Sequence, residues 1–440
     1  MTGAIATQLQ SLVNSSTVIS PWDSLDSSWK NRVENAIKGD DCPDSVIYPT
    51  DSENLSNIVE YARENHRSIL PCGNGTKLNW GGLVSSPKLV VSTQKLNRII
   101  DHAVEDLTVT VEAGVKLSDL QAILREFKQF LPIDPTYTDD ATIGGIVATA
   151  DTGSWRQRYG GIRDLVLGLS FVRSDGKIAK GGGRVVKNVA GYDLMKLFTG
   201  SYGTLGIISQ VTFRLYPYPE ASGTIALTGD KNDLATASQT LLKSGLQPTA
   251  AEMICPSVVQ KLDLGEGMGL LVRFQSIPES VKEQIAQVSA IAKKLGLKTA
   301  FYQAEIEDNL WQQLQNLIRV PHTNRAITCK IGVMPNRGIE FLDQLNQLSQ
   351  NQGWGMVNLS SGIGNLQLTI EPSLGIVKNL RSLAQNEGGF LTILESSKQL
   401  KKEIEPWGYQ GNALSMMEKI KHQFDPQNVL SPGRFFNYKI

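Results

Sequence analysis

The sequence predicts an α+β protein of two large domains, and three observations carry that expectation. In the first half, short apolar runs of strand length alternate with helical stripes of period 3.6, and glycine clusters follow the strands. Pro217 and Pro219 interrupt this pattern, and from about Ala221 a second alternation of strands and amphipathic helices begins. The length, 440 residues, is enough for two or three domains with sizeable cores. Charge narrows the function classes: 43 basic residues balance 43 acidic ones, so nothing favours nucleic acid or another polyanion as a partner. The four cysteines, Cys42, Cys72, Cys255 and Cys329, have no C-x-x-C spacing, which excludes an iron–sulfur or structural zinc cluster held by this chain alone and suits a reducing compartment. Met1 to Val13 lacks a basic start followed by an apolar run, and no stretch approaches 18 consecutive apolar residues. The expectation is a cytoplasmic protein without a transmembrane segment, with docking to a membrane through a partner left open.

Taken in order, residues up to about Asp40 carry serine-rich stretches and a short helical pattern at Trp29, Val33 and Ile37, read as a lead-in rather than core. Thr50 and Glu53 have capping-box spacing, and Leu55, Ile58, Val59 and Ala62 fill one face of the helix that follows. Arg67 to Leu70 reads as a strand delivering the loop Pro71 to Gly82, P-C-G-N-G-T-K-L-N-W-G-G. Gly73 and Gly75 flank Asn74 and precede Thr76 and Lys77, a backbone that turns sharply and presents several N–H groups to one anion, for which a pyrophosphate is the natural guest. The loop is not a nicotinamide dinucleotide fingerprint. Leu78 stands where the third glycine belongs, and no helix opens after it. Taken alone, the loop is equally well a surface glycine turn.

Strands follow at Leu89 to Ser92 and Thr108 to Glu112, then a helix marked by Leu117, Leu120, Ile123 and Leu124. From Pro132 to Gly161 small residues dominate: Pro135, then Ala141, Thr142, Gly144 and Gly145, then Ala148 and Gly153. Such a run either lets a ligand lie against bare backbone or makes a tight packing corner. Arg156, Arg158 and Arg163 come next, as solvated surface or as the lining of an anionic pocket. A strand at Leu165 to Arg173, a turn at Ser174 to Lys177 and the glycines Gly181 to Gly183 lead to Asn188 to Leu215, which suits a short helix over Asp193 to Thr199 and a strand over Gly206 to Leu215. In the second half, the helix opening at Pro278 has Val281, Ile285, Val288, Ala292 and Leu295 on one face and Gly296 past its end.

Three segments, P-x-G-x-G-T-x-L-x-x-G-G, A-T-I-G-G and G-Y-D-L-x-x-L-F-T-G-S-x-G-T-L-G-I, stand in fixed order over the first half. Together they resemble the FAD-binding domain of the vanillyl-alcohol oxidase and p-cresol methylhydroxylase (PCMH) superfamily. Phe424 to Arg434 is similar to the closing F-D-P-x-x-x-L-N-P-G-R of the FAD-linked 2-hydroxy-acid oxidoreductases, departing only at Ser431. Within that group the chain most resembles the second, flavin-binding subunits of glycolate oxidases, also called glycolate dehydrogenases. The resemblance implies a lead-in over 1–42, a two-subdomain PCMH-type FAD-binding domain over 43–219, and an α+β cap over 220–440 whose last segment returns to the flavin domain. It also implies that Pro71, Gly73, Asn74, Gly75, Thr76 and Lys77 wrap the FAD pyrophosphate. Pro135, Ala141, Thr142, Gly144, Gly145, Ala148 and Gly153 would pass along the ribityl and ring edge, and Gly206, Ile207 and Ile208 would touch the flavin or its phosphates. No histidine lies in these loops and Cys72 sits in the pyrophosphate loop, so the FAD is expected to be noncovalent.

Catalytic members of that group carry G-D-G-N-L-H and E-H-G in the cap. Here the matching stretches read Gly362-Ile363-Gly364-Asn365-Leu366-Gln367 and Asn386-Glu387-Gly388-Gly389-Phe390, and the arginine expected after the cap tryptophan, Trp311, falls at Leu314. Oxidation of a hydroxy acid needs a cation for the carboxylate and a base for the hydroxyl proton. His66, His102 and His422 read as surface positions. His322, within Val320 to Arg325, is the one histidine that remains as a candidate catalytic residue, with Lys330 and Arg273 as carboxylate candidates. Three functions follow from the resemblance: an FAD-binding subunit of a glycolate dehydrogenase complex, partnered by a catalytic flavoprotein subunit and an iron–sulfur subunit; a self-sufficient dehydrogenase of a small 2-hydroxy acid such as glycolate or D-lactate; or an assembly scaffold that has abandoned FAD.

Overall fold

A computed structural model of the protein describes residues 8–183, 191–323, 325–368 and 374–435. Residues 188–190 and Asn324, which belong to stretches singled out above, lie outside the described residues. The chain divides into two compact units: Met1–Thr152, Gly161–Tyr218 and Tyr409–Ile440 form the first, and Gly153–Gly160 and Pro219–Gly408 the second.

The first unit holds two principal sheets. Strands β1 (Val18–Pro21), β2 (Ser45–Tyr48), β3 (Ile69–Cys72) and β4 (Leu89–Ser92) lie in the order β1-β2-β4-β3, with β1 antiparallel and the other pairs parallel. A parallel return needs a crossover, which the helix Ser52–Glu64 supplies between β2 and β3. Its N-cap is Asp51, which accepts from the Asn54 N–H at 2.7 Å, and not the predicted Thr50. Leu55, Ile58, Val59 and Ala62 are fully buried against Ile47, Leu89 and Val91. The expected lead-in is more than that: β1 pairs with β2, and Val33 and Ile37 are buried with Val46, Leu70 and Val90. Strand β3 begins two residues later than predicted. Its register runs from Ile69↔Leu89 to Cys72↔Ser92, placing Pro71 in an edge strand where a missing N–H is tolerated.

The second sheet comprises β5 (Ile99–Ala103), β6 (Thr108–Glu112), β8 (Val166–Val172), β9 (Ile178–Gly182) and β10 (Ile207–Arg214) in the order β5-β6-β10-β8-β9, antiparallel throughout, beside a small pair β7 (Gln129–Phe130) and β11 (Tyr216–Pro217). The helices Leu117–Glu126 and Ile143–Thr149 contribute to a core with Val109, Val111, Phe171, Val211 and Phe213. Ile123, predicted on the buried stripe, is 39% exposed because Leu117, Leu120 and Leu124 already fill it. The small-residue run therefore forms a helix, and Gly144 is required there: its N–H donates to the Ala113 carbonyl at 2.7 Å, and a Cβ would stand 2.7 Å from that of Ala113.

The last segment closes the same unit. Lys421, on the helix Leu414–Phe424, is buried and donates to the Asp425 carboxylate and to the carbonyls of Thr204 and Leu430, the latter two at 2.9 Å. Asp425 accepts from the N–H groups of Val429 and Leu430 at 2.9 and 2.8 Å. Ile69 N–H then donates to Val429, and Ser431 N–H to Ile69, so the segment is stitched to the start of β3.

The second unit is built on one antiparallel eight-stranded sheet, β12 (Ala221–Gly229), β13 (Ala250–Ile254), β14 (Met268–Ser276), β15 (Lys298–Tyr302), β16 (Ile327–Gly332), β17 (Gly353–Asn358), β18 (Ile363–Leu368) and β19 (Phe390–Glu395), ordered β15-β12-β14-β13-β17-β18-β16-β19. The helix Pro278–Lys294 buries Val281, Ile285, Val288 and Ala292 as its period predicts, and Gly296, at φ +69°, follows its C-cap.

Candidate cofactor site

In the first unit, strand β3 ends where the glycine loop begins, and the loop faces the helix Ile143–Thr149 and the turn before β10 across one cleft. The cleft is open to solvent and is lined by the glycine-rich backbone of these three segments. Pro71, Gly73, Asn74, Gly75, Thr76, Lys77, Ala141, Thr142, Gly144, Gly145, Ala148, Gly206, Ile207 and Ile208 all line it, as do Cys72, Tyr202, Gly203 and Arg434. Two predicted residues do not. Pro135 belongs to a turn in which its carbonyl accepts from the Thr138 hydroxyl, and Gly153 opens the short segment that counts with the second unit. Of the three arginines read as possible pocket lining, none reaches the cleft. Arg158 donates to Gln247, and Arg163 donates to the Lys196 carbonyl.

The loop is braced from outside. Ser92 and Thr93 hydroxyls donate to the carbonyls of Gly73 and Cys72, Arg32 donates to that of Asn74, and Gln94 donates to the Asn74 side chain. Among the described residues, none accepts from the backbone N–H groups of Asn74, Gly75 and Thr76. Gly73 sits so close to Thr142 that a Cβ would come within 1.9 Å of its hydroxyl, and Gly75, at φ +73°, takes the left-handed turn. Bare backbone with donors left over is what a diphosphate requires, so the cleft fits FAD.

Its electrostatics are set by burial. Lys77 and Asp151 form an ion pair at 2.7 Å with side chains 5% and 3% exposed, and Asp151 also accepts from the Thr136 N–H. The Cys72 thiol is pushed up to about 12 by burial, which keeps it protonated and a poor nucleophile. Burial also raises the Tyr202 phenol, with the Asp151 charge adding to it. Arg434, 4% exposed, is lowered by burial to about 10 and donates to the carbonyls of Leu78 and Trp80 at 3.0 and 2.7 Å. Sequence reasoning assigns no role to Arg434 or Tyr202. Arg434 closes the motif P-G-R, whereas Tyr202 fills the open position of G-S-x-G-T, and nothing local says that either segment reaches the loop.

In the second unit, the positions matching the cap motifs carry structural work instead. Gln367 on β18 donates to the carbonyls of Leu317, Ile318 and Val320, capping the helix Ala304–Arg319, and accepts from the His322 N–H at 3.2 Å. Leu314 is fully buried in the core. Glu387 accepts from Arg337 in the turn after the helix Leu374–Asn386. Arg273 is committed to Glu307 at 3.1 Å and Asp308 at 2.6 Å, so it is not a free carboxylate receptor. His322 is exposed, with its ring edge-on to Trp354 at 5.2 Å. Lys330 lies on β16 opposite Asn365. His102 bonds Gln129 and packs edge-on against Phe127, away from the cleft. Among the described residues no group of three or more His, Cys, Asp or Glu could hold a metal, and no helix is long and apolar enough to cross a membrane.

A dinucleotide cleft on a two-sheet scaffold, joined to an antiparallel cap sheet, defines an FAD-dependent oxidoreductase. Residues 43–182 match the FAD binding domain family, and residues 225–370 and 399–435 match the C-terminal domain of FAD linked oxidases. The chain belongs to the flavoprotein family built from these two domains. It is 27% identical to the glycolate oxidase subunit GlcD of Bacillus subtilis, over 90% of this chain and 89% of that protein. It is 27% identical to the mitochondrial D-lactate dehydrogenase [cytochrome] of Arabidopsis thaliana, over 89% and 73%, and 26% identical to the glycolate oxidase subunit GlcE of Escherichia coli, over 88% and 97%. Among solved structures, p-cresol methylhydroxylase with substrate bound superposes with a TM-score of 0.78 at 14% identity, covering 100% of this chain and 98% of that one, which shows the PCMH-type fold.

Proposed function

We propose that the chain is the FAD-binding subunit of a glycolate-oxidising complex, working with a catalytic flavoprotein and an iron–sulfur partner to convert a small 2-hydroxy acid to its keto form. The observation that carries this reading is Gln367. Where catalytic relatives place a histidine, this side chain spends its amide on three helix-end carbonyls and its oxygen on the His322 backbone. The cofactor cleft of the first unit keeps its cradle of bare backbone, while Gln367 and Leu314, at the cap positions of the expected histidine and arginine, are buried in the packing of the second unit. When bound, FAD supplies the hydride acceptor. Asn74, Gly75 and Thr76 would hold its diphosphate by backbone donors, Gly145 and Ala148 would leave room along its body, and the attachment would be noncovalent.

A second reading, a self-sufficient dehydrogenase, is favoured by His322 itself, which is exposed and held by Gln367 and Trp354. A visible absorption spectrum of the purified chain, before and after anaerobic glycolate or D-lactate, separates them. A flavin spectrum that persists with either acid is expected. Bleaching would make the chain a dehydrogenase in its own right, and a colourless protein that takes up no FAD would return the scaffold.

A further inference from the structure

We propose that Arg434, the last residue of the closing motif, is the fixed cation for the FAD diphosphate, so that cofactor binding and anchorage of the C-terminal segment are one event. The inference rests on the cleft being the FAD site.

Among the described residues two cations line the cleft, and their circumstances differ. Lys77 is matched at 2.7 Å by the buried carboxylate of Asp151. Arg434 is held by the loop itself, one guanidinium nitrogen donating to the carbonyls of both Leu78 and Trp80. Such two-point bracing fixes the plane of the group against the same loop that carries the N–H groups of Asn74, Gly75 and Thr76. A guanidinium carries five donors in one rigid fork and matches phosphate oxygens in pairs, which an ammonium does not. The group also stays charged: burial lowers it only to about 10, well above neutral pH. Backbone donors on one wall and a fixed planar cation on another select a dianion, and in FAD the dianion is the diphosphate.

The placement of Arg434 depends on everything before it in the closing segment. The buried Lys421–Asp425 pair fixes the turn after the last helix. Ser431 N–H bonds the Ile69 carbonyl at 2.8 Å, and the Pro432 carbonyl accepts from Ser85 N–H at 2.7 Å. Gly433, at φ +77°, turns the chain beneath Ser85, where a Cβ would meet the serine hydroxyl at 2.4 Å. The motif is thus a device for delivering one side chain to the loop.

The test uses the full-length apoprotein, titrated with FAD and separately with ADP, which carries the diphosphate without the flavin. R434Q keeps an amide donor for the loop carbonyls but removes the charge, and R434K keeps the charge but not the fork. R434Q is expected to lose on the order of 10- to 100-fold in affinity for FAD and for ADP alike, and R434K to stay within about 10-fold of the parent. R434Q that binds ADP as tightly as the parent overturns the proposal, whatever happens to FAD, because the arginine would then only brace the loop. If R434Q shows no cooperative melting transition, R434K decides: full loss of ADP binding despite a retained cation counts against the proposal. A parent protein that binds no FAD would instead remove the cofactor assignment beneath it.

Discussion

Gly73→Ala tests the cleft at its tightest point. An alanine Cβ there would lie 1.9 Å from the Thr142 Oγ1, 3.0 Å from its Cβ and 3.1 Å from its Cγ2. Rotating Thr142 does not clear the contact, because its Cβ alone already stands at the closest approach that real Cβ atoms make. With the hydroxyl rotated away, the loop or Thr142 must still recede by a few tenths of an ångström, and neither is free to do so. The helix after Thr142 is pinned by Ile143 N–H on Val115 and Gly144 N–H on Ala113 at 2.9 and 2.7 Å, and the loop is pinned by Ser92 on the Gly73 carbonyl at 2.9 Å. Overpacking of this kind costs about 1–3 kcal/mol. For a unit of this size that is a fall in Tm of roughly 2–12 °C. Displacing the N–H cradle by the same distance is expected to weaken FAD by on the order of 10- to 100-fold, the worth of one charge-assisted hydrogen bond. Thermal melts of the apoprotein and FAD titration read both effects. T142A alone should change the melt little, since the Thr142 side chain makes no capping bond, and its FAD affinity is the baseline for the double variant. In the double variant it removes the two atoms at 1.9 and 3.1 Å and should recover more than half of each loss. A G73A protein that melts and binds FAD like the parent refutes the reasoning, and so does a double variant no better than G73A.

Two further outcomes concern the second unit. Q367L leaves the carbonyls of Leu317, Ile318 and Val320 without their donor in a buried place and is expected to cost about 1–3 kcal/mol in urea unfolding, with the flavin content unchanged. R273M strands Glu307, 1% exposed, whose carboxyl burial already holds above its ordinary 4.5 and which the Arg273 charge pulls back down. Without that charge the folded value rises further above the unfolded one, so the added penalty is absent below the ordinary carboxylate range and grows as pH rises through it. Melts at pH 4 and pH 7 should show a deficit of about 3–5 kcal/mol at the higher pH and a smaller one at the lower, whereas an equal deficit at both would show that Glu307 is not the cause.

Much of the cleft is legible in the sequence because its signals are local. A glycine that must turn at φ +73°, or one that must let two backbones meet, is constrained by its immediate neighbours, and Gly73, Gly75, Gly144 and Gly145 all stand out by their spacing. Strands β4 and β6 fall on their predicted residues for the same reason, the first an apolar run closed by a serine and the second a strict alternation of threonine and valine. The differences arise where a distant partner sets the outcome. Strand β3 starts at Ile69 because β4 fixes its register, Val33 and Ile37 are core because β2, β3 and β4 lie over them, and Pro135 misses the cleft because of a turn that no spacing announces.

The closing segment shows how far the two kinds of information differ. Its one departure from the family pattern, Ser431, falls at φ +45°, a left-handed position where asparagine is better tolerated than serine. The sequence marks the departure but not its setting. That setting explains why the turn survives it: the Ser431 N–H is held by the Ile69 carbonyl, and the turns on either side are fixed by the Lys421–Asp425 pair and by Gly433. A strained residue persists when its surroundings over-determine it, and they do so here at the residue three before Arg434. The strain is therefore tolerated where it serves to aim a cation at the cofactor loop, while in the second unit Gln367 makes the hydrogen bonds of an ordinary helix cap. On that physical difference rests the proposed division of labour, with cofactor binding in this chain and substrate chemistry in a partner.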